Sequence, residues 1–187
     1  MPHSEPQDLT RLIARWQRGD ADAGGEVISR AYEELHQLAG RCLNEERSGH
    51  TLQPTALVHE VYLRLVGERM PEVTSRSHLL GIASRLMRQI LVNHALAKGA
   101  AKRGAGGGGP LDRAVEALEE RRIDLVALDA ALKDLAERDP LHARVVELRF
   151  FGGLTIEETA EVTGVSARKV VECWTFARAW LMKEMRA

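Results

Sequence analysis

Aromatic residues make up only 4% of this 187-residue chain and β-branched residues are sparse, so the side chains that favour pleated sheet are few. The two cysteines, Cys42 and Cys173, are isolated and far apart, too few for a disulfide framework or a zinc site. Both are expected to be reduced core thiols. No apolar run approaches the roughly 18 residues of a membrane span. The first residues, Met-Pro-His-Ser-Glu-Pro-Gln-Asp, lack the basic and apolar regions of a signal peptide, so a soluble cytoplasmic protein is expected. The run Gly106 to Gly109 follows a helical pattern and lacks Gly-Lys-Ser/Thr, so it is no phosphate-binding loop. His59-Glu60 is followed by Leu63 where a metalloprotease helix needs its second histidine. An enzyme is therefore not expected, and the sequence gives no basis for a cofactor or a metal ion. The 26 basic and 27 acidic side chains nearly cancel, so only their local distribution can point to a partner.

What remains is helical and globular. Leu, Ala, Arg and Glu dominate, and apolar residues recur at helical spacing in seven or eight segments. Leu9, Leu12, Ile13 and Trp16 mark the first, and Gly19-Asp20 interrupts it. Ile28, Ala31, Leu35, Ala39 and Cys42 mark the second, and Val58, Val61, Tyr62 and Leu65 the third. Leu79, Ile82, Ala83, Leu86 and Ile90 mark a fourth that runs to about Ala97. The glycine run and Pro110 then read as flexible coil. Leu125, Leu128, Leu132 and Leu135 restart the pattern, and Asp139-Pro140 opens another helix through about Phe150. The expectation is an all-α chain of two small helical domains, 1–97 and 123–187, joined by a flexible glycine-rich linker over 98–122.

Thr155-Ile156-Glu157-Glu158 has the form of a capping box, in which the threonine and glutamate side chains satisfy each other's backbone amides. That short helix ends near Thr163, Gly164 supplies a turn, and Ser166 is the N-cap of a second helix. Val170, Cys173, Trp174, Ala177 and Leu181 repeat along its inner face. A helix, a tight glycine turn and a second capped helix make the signature of a DNA-reading helix-turn-helix. Its outward side carries Ser166, Arg168, Lys169, Val171, Glu172, Thr175 and Arg178. Read from the pattern alone, the same residues also suit an ordinary αα-hairpin whose charges only keep it soluble.

From Val73 to Leu111 there is no Asp or Glu, while Arg76, Arg85, Arg88, Lys98, Lys102 and Arg103 are present. On the fourth helix His78, Arg85, Gln89 and Asn93 fall on one side, away from the apolar stripe, with Arg88 close by. Arginine for phosphates beside Gln and Asn for base edges suits nucleic acid. A solvated helix face is the plainer alternative.

Three stretches then resemble an extracytoplasmic-function (ECF) sigma factor of bacterial RNA polymerase. They are His50-Thr-Leu-Gln-Pro-Thr-Ala-Leu-Val-His-Glu-Val-Tyr-Leu-Arg-Leu65, the helix around Ile82-Ala-Ser-Arg-Leu-Met-Arg-Gln-Ile-Leu-Val-Asn-His94, and the helix-turn-helix from Gly153 to Leu181. The resemblance covers nearly the whole chain, in order and spacing. It implies a region 2-like bundle followed by a region 4-like helix-turn-helix, partners in the polymerase core (the β′ clamp coiled coil and the β flap) and promoter DNA, and a role in transcription initiation. By position, Arg85, Arg88, Gln89 and Asn93 become readers of the −10 element. Ser166, Arg168, Lys169, Glu172, Thr175 and Arg178 become readers of the −35 element. The third helix, with Thr55, Ala56, His59, Glu60 and Arg64, becomes the polymerase-docking segment. The alternative class is a stand-alone helix-turn-helix regulator that binds duplex operator, usually as a dimer.

Two departures from the family pattern stand out. Many members carry acidic residues where this chain has Thr55-Ala56, and the polymerase surface they meet is basic. A phosphate on Thr51 or Thr55 would add roughly −1.5 to −2 charges at a helix N-terminus, where the dipole favours them. Some groups of the family are linked to Ser/Thr kinases, so phosphorylation is an expected switch, with Thr51 the first choice; an anti-sigma protein is the other regulator the resemblance implies. In the recognition helix, Val171 and Glu172 stand where members often place basic residues. They either read thymine methyl and cytosine amine groups or weaken the contact.

Overall fold

The computed structural model describes residues 6–43, 55–65, 73–101, 111, 115 and 124–185. Among them every regular element is a helix, as the scarcity of sheet-favouring side chains leads one to expect. Helix α1 (Pro6–Gln17) buries Leu9, Leu12 and Ile13, and Arg15 closes the following turn on Asp20 at 2.8 Å. Helix α2 (Ala21–Leu43) packs its stripe of Val27, Ala31, Leu35, Leu38 and Ala39 between α1 and α3 (Thr55–Arg64). Helix α4 (Arg76–Ala101) runs on past Ala97.

In the carboxy-terminal half, Asp124 caps α5 (Leu125–Arg138) by accepting from the N–H groups of Val126 and Ala127. Asp139 caps α6 (Pro140–Val146), with proline at the helix start, where its missing N–H costs nothing. The expected continuation to Phe150 changes pitch at Glu147. A π-helical turn (Glu147–Phe151) follows, in which Glu147, Leu148 and Phe151 are all buried. Helices α7 (Ile156–Thr163) and α8 (Ala167–Glu184) complete the chain's described part.

The two halves are in direct contact. One apolar core takes Leu38, Leu80, Ala83 and Met87 from the first half and Leu128, Leu132, Leu148, Phe151 and Leu154 from the second. Helix α4 lies in the joint and touches α5, the π-helical turn and α7, while α2 also reaches the π-helical turn. Gly152 and Gly153 make this approach possible. A Cβ on Gly152 would collide with Ser84 Oγ on α4. One on Gly153, whose φ is +60°, would lie 2.8 to 2.9 Å from Arg41 Cβ, Cys42 N and Leu38 O on α2. Two residues of the expected linker also pack on this core: Val115 is fully buried and Leu111 half-buried. The glycine run 106–109 lies outside the described residues.

Candidate nucleic-acid interface

The helix-turn-helix forms as its sequence dictates. Thr155 Oγ1 accepts from Glu158 N–H at 3.1 Å, and Glu158 Oε2 accepts from Thr155 N–H at 2.9 Å. Gly164 ends α7 in the left-handed region at φ +70°, its N–H bonded to Ala160 carbonyl. Ser166 Oγ then accepts from Lys169 N–H at 3.2 Å and starts α8. Val170, Cys173, Ala177 and Leu181 are buried along the inner face, and Val145, Val170 and Cys173 form a small core between the helices.

The outer face of α8 is open. Ser166, Arg168, Lys169, Glu172, Thr175 and Arg178 are all exposed, and the Arg168 side chain is 90% accessible. Arg168 Nε donates to Glu172 Oε1 at 3.1 Å, and Lys169 Nζ stands 4.0 Å from the other oxygen. One carboxylate thus holds both cations of the first turns loosely, since exposed pairs of this kind contribute little. The Thr175 hydroxyl donates to Val171 carbonyl at 2.8 Å. Arg149 and Arg178 both lie over the Trp174 ring, at 5.2 and 5.8 Å from its centroid.

On α4 the four expected readers separate into two groups. Arg85, Gln89 and Asn93 are exposed at four-residue spacing on one open face. Arg88 is turned the other way, into the joint. Its Nε donates to Asp129 Oδ1 at 2.9 Å, its Nη2 to Asp129 carbonyl at 3.3 Å and its Nη1 to Glu147 Oε2 at 3.2 Å. Burial pushes the Asp129 carboxyl up, but Lys133 and Arg88 outweigh that and hold it below its ordinary range. Glu147 is also bonded by Arg144, whose Nη2 donates to Gly81 carbonyl on α4 at 3.1 Å. Lys102 and Arg103, the end of the acid-free basic stretch, lie outside the described residues.

A second ionic cluster joins the halves beside it. Arg76 donates to Glu34 at 2.7 and 2.9 Å and to Glu158 Oε1 at 3.0 Å, and Arg41 Nη2 reaches Glu158 Oε2 at 3.1 Å. Glu158 therefore caps α7 and receives two arginines from the other half. Burial raises its pKa, yet the Thr155 N–H and both guanidinium groups overcome this and lower it. Burial works against the Arg76 cation in turn, but its bonds to Glu34 and Glu158 prevail and drive its pKa up. Ser77 and Glu161 add a further hydrogen bond across the joint.

The expected docking helix α3 exposes His59 and leaves Thr55, Ala56, Glu60 and Arg64 half-buried. Tyr32 of α2 packs near His59 and edge-on to Tyr62, with ring centroids 6.1 and 5.7 Å apart. Leu63, which the sequence reading passed over, is 66% exposed. It follows Ala56, His59 and Glu60 at helical spacing and puts an apolar contact on the same stripe. Thr51 lies outside the described residues.

The acidic partners Glu34, Asp129, Glu147 and Glu158 were also missed. Their signal was the complement of one that was read: an acid-free basic stretch in a chain of almost zero net charge implies acids elsewhere that can meet it. A family model described as ECF sigma factor matches residues 6–187. The chain belongs to the ECF sigma factor family. The all-helical architecture of the described residues agrees with that membership. A curated relative, the RNA polymerase sigma-F factor of Bacillus licheniformis, is 28% identical over 162 residues. That match covers 85% of this chain and 56% of the relative, so the chain spans little more than half the length of the protein it matches. Among the described residues no helix is long and apolar enough to cross a membrane, and no cluster of His, Cys, Asp or Glu could hold a metal ion.

Proposed function

We propose that this chain is an alternative sigma factor that binds the RNA polymerase core in the cytoplasm and directs it to its own promoters. In this reading it has no catalytic residue. Helix α8 reads the −35 duplex with Arg168, Lys169, Glu172, Thr175 and Arg178, positioned by the cap at Ser166. Arg85, Gln89, Asn93 and, once released, Arg88 read the −10 element. Helix α3 docks on the β′ clamp with Thr55, Ala56, His59, Glu60, Leu63 and Arg64, and the carboxy-terminal module meets the β flap. The observation that carries the reading is a complete, capped helix-turn-helix with an open basic face in a chain of this family. Two weak DNA sites held on one polymerase gain effective concentration without new contacts, which suits a chain whose separate patches are small.

Control by phosphorylation belongs to the same reading. The first turn of α3 has no acidic residue, and Thr55 stands at its start, where a phosphate would meet the positive end of the helix dipole. A Ser/Thr kinase acting on Thr51 or Thr55 would supply the missing charge; an anti-sigma protein is the other regulator this reading admits. Reporter transcription with Thr51→Ala, Thr55→Ala and the matching glutamate variants tests the switch, and full activity in both alanine variants refutes it. The sigma reading itself is tested by co-purification with core polymerase, then transcription in vitro. A dimer that binds duplex operator tightly without core would establish the stand-alone regulator instead.

A further inference from the structure

Most polar groups on the outer face of α8 are already engaged. The Ser166 hydroxyl caps the helix, the Thr175 hydroxyl is turned back to Val171 carbonyl, and the Arg178 guanidinium lies over the Trp174 ring. Arg168 differs. It is the second residue of α8, and the amino-terminal turn of a recognition helix is the part that reaches base edges in the major groove. Its Nε donates to Glu172 Oε1 at 3.1 Å, whereas neither Nη atom has an acceptor among the described residues. Those two nitrogens form a fork that matches O6 and N7 of guanine. Glu172 is badly placed to meet DNA on its own account. Phosphates repel it, and it stands between two cations of its own helix, 3.1 Å from Arg168 Nε and 4.0 Å from Lys169 Nζ. In water such an exposed pair contributes little. Inside a groove, where water is displaced and the effective dielectric falls, the same contact strengthens and fixes the plane of the guanidinium. Lys169 is held less tightly and remains available for a phosphate.

We propose that Glu172 is a positioning residue for sequence selection: it holds Arg168 through Nε so that the two Nη groups grip guanine, and α8 selects duplexes with a G·C pair at that point. Glu172 acts through Arg168 and contacts no base itself. By neutralising its two neighbours it also weakens binding to DNA of other sequence, which leaves the guanine contact to decide where α8 settles. The proposal rests on the reading of α8 as a surface for duplex DNA, whichever partner brings the chain there.

The test uses the full chain, alone and with core polymerase, to select from a library of randomised duplexes; the enriched duplex is then resynthesised with 7-deazaguanine at the selected guanine. Arg168 and Glu172 are both exposed, so their variants keep the fold, which far-UV circular dichroism checks. Replacing guanine N7 by C–H should weaken binding about fivefold or more, the low end of what a bidentate pair discriminates. Arg168→Lys should abolish the guanine preference while leaving the salt dependence unchanged, since the charge stays and the fork is lost. Glu172→Ala should lose most of the preference and bind scrambled duplexes more tightly. Glu172→Gln, whose amide oxygen still accepts from Arg168 Nε, should share that tighter scrambled binding but keep the guanine preference. An unchanged preference in Glu172→Ala, an equal loss in the alanine and glutamine variants, or tolerance of 7-deazaguanine by the wild type would each overturn the proposal. Sensitivity instead to N4-methylation of the paired cytosine would make Glu172 the reader and overturn it as well. Enrichment that requires core polymerase supports the sigma reading, and equal enrichment without it refutes that reading, while the guanine comparison stands in either form. No enriched sequence in either form would refute α8 as a DNA surface and the proposal with it.

Discussion

Truncating Glu158 should separate its two roles by size. Glu158→Ala removes the acceptor for Thr155 N–H, a cap contribution of about 1 kcal/mol. It also takes a carboxylate from Arg76, which is 9% exposed, and from Arg41, which is 38% exposed. Hydrogen bonds to charged groups contribute about 1.5–3 kcal/mol each, but Arg41 is well solvated and Arg76 retains Glu34, so the lower end applies. The expected loss is roughly 2–4 kcal/mol, which for a chain of this size lowers the melting temperature by about 5–15 °C. Glu158→Gln keeps the cap and should lose only the ionic part, about 1 kcal/mol less, and Thr155→Ala only the cap. Urea unfolding followed by far-UV circular dichroism, with calorimetry to check that one transition describes the chain, measures all three. Alanine and glutamine variants of equal stability would refute the capping role. Both lying within about 0.5 kcal/mol of the wild type would refute an ionic joint of any consequence.

Other perturbations act at separate points. Lys169→Ala should weaken DNA binding across all sequences and flatten its salt dependence, whereas Arg168→Ala should change sequence preference; competition binding with shuffled duplexes distinguishes them. Because Asp129, Asp139 and Glu158 titrate below their ordinary values of 3.8, 3.8 and 4.5, the stability they supply is complete above those values. It is lost as pH falls through the lower folded-state values, so unfolding experiments should show a steep decline below about pH 4. Gly81→Ala should raise intrinsic helix propensity by about 1 kcal/mol yet give no net gain, since its Cβ would lie 2.7 Å from Arg144 Nη2; thermal melts decide this. Leu63→Arg should leave folding intact, as the side chain is exposed, but weaken binding to core polymerase at least tenfold in a pull-down titration.

The local grammar of this chain was readable because it is written in neighbouring residues. Asp139-Pro140, the Thr155–Glu158 box, Gly164 and Ser166 each act over a few positions, and each forms the cap or turn its chemistry calls for. The outer face of α8 followed from the same spacing. What spacing could not show was the joint. Arg88 sits with Arg85, Gln89 and Asn93 in sequence, but one helical step of about 100° per residue turns its side chain toward Asp129 and Glu147, 41 and 59 residues away. Gly152 and Gly153 look like an ordinary loop until α2 and Ser84 are laid against them. The glycine run suggested only a tether, although Val115 just beyond it is a core residue. The π-helical turn over Glu147–Phe151, which buries Glu147, Leu148 and Phe151, was not anticipated from the spacing, which continued the preceding helix through about Phe150.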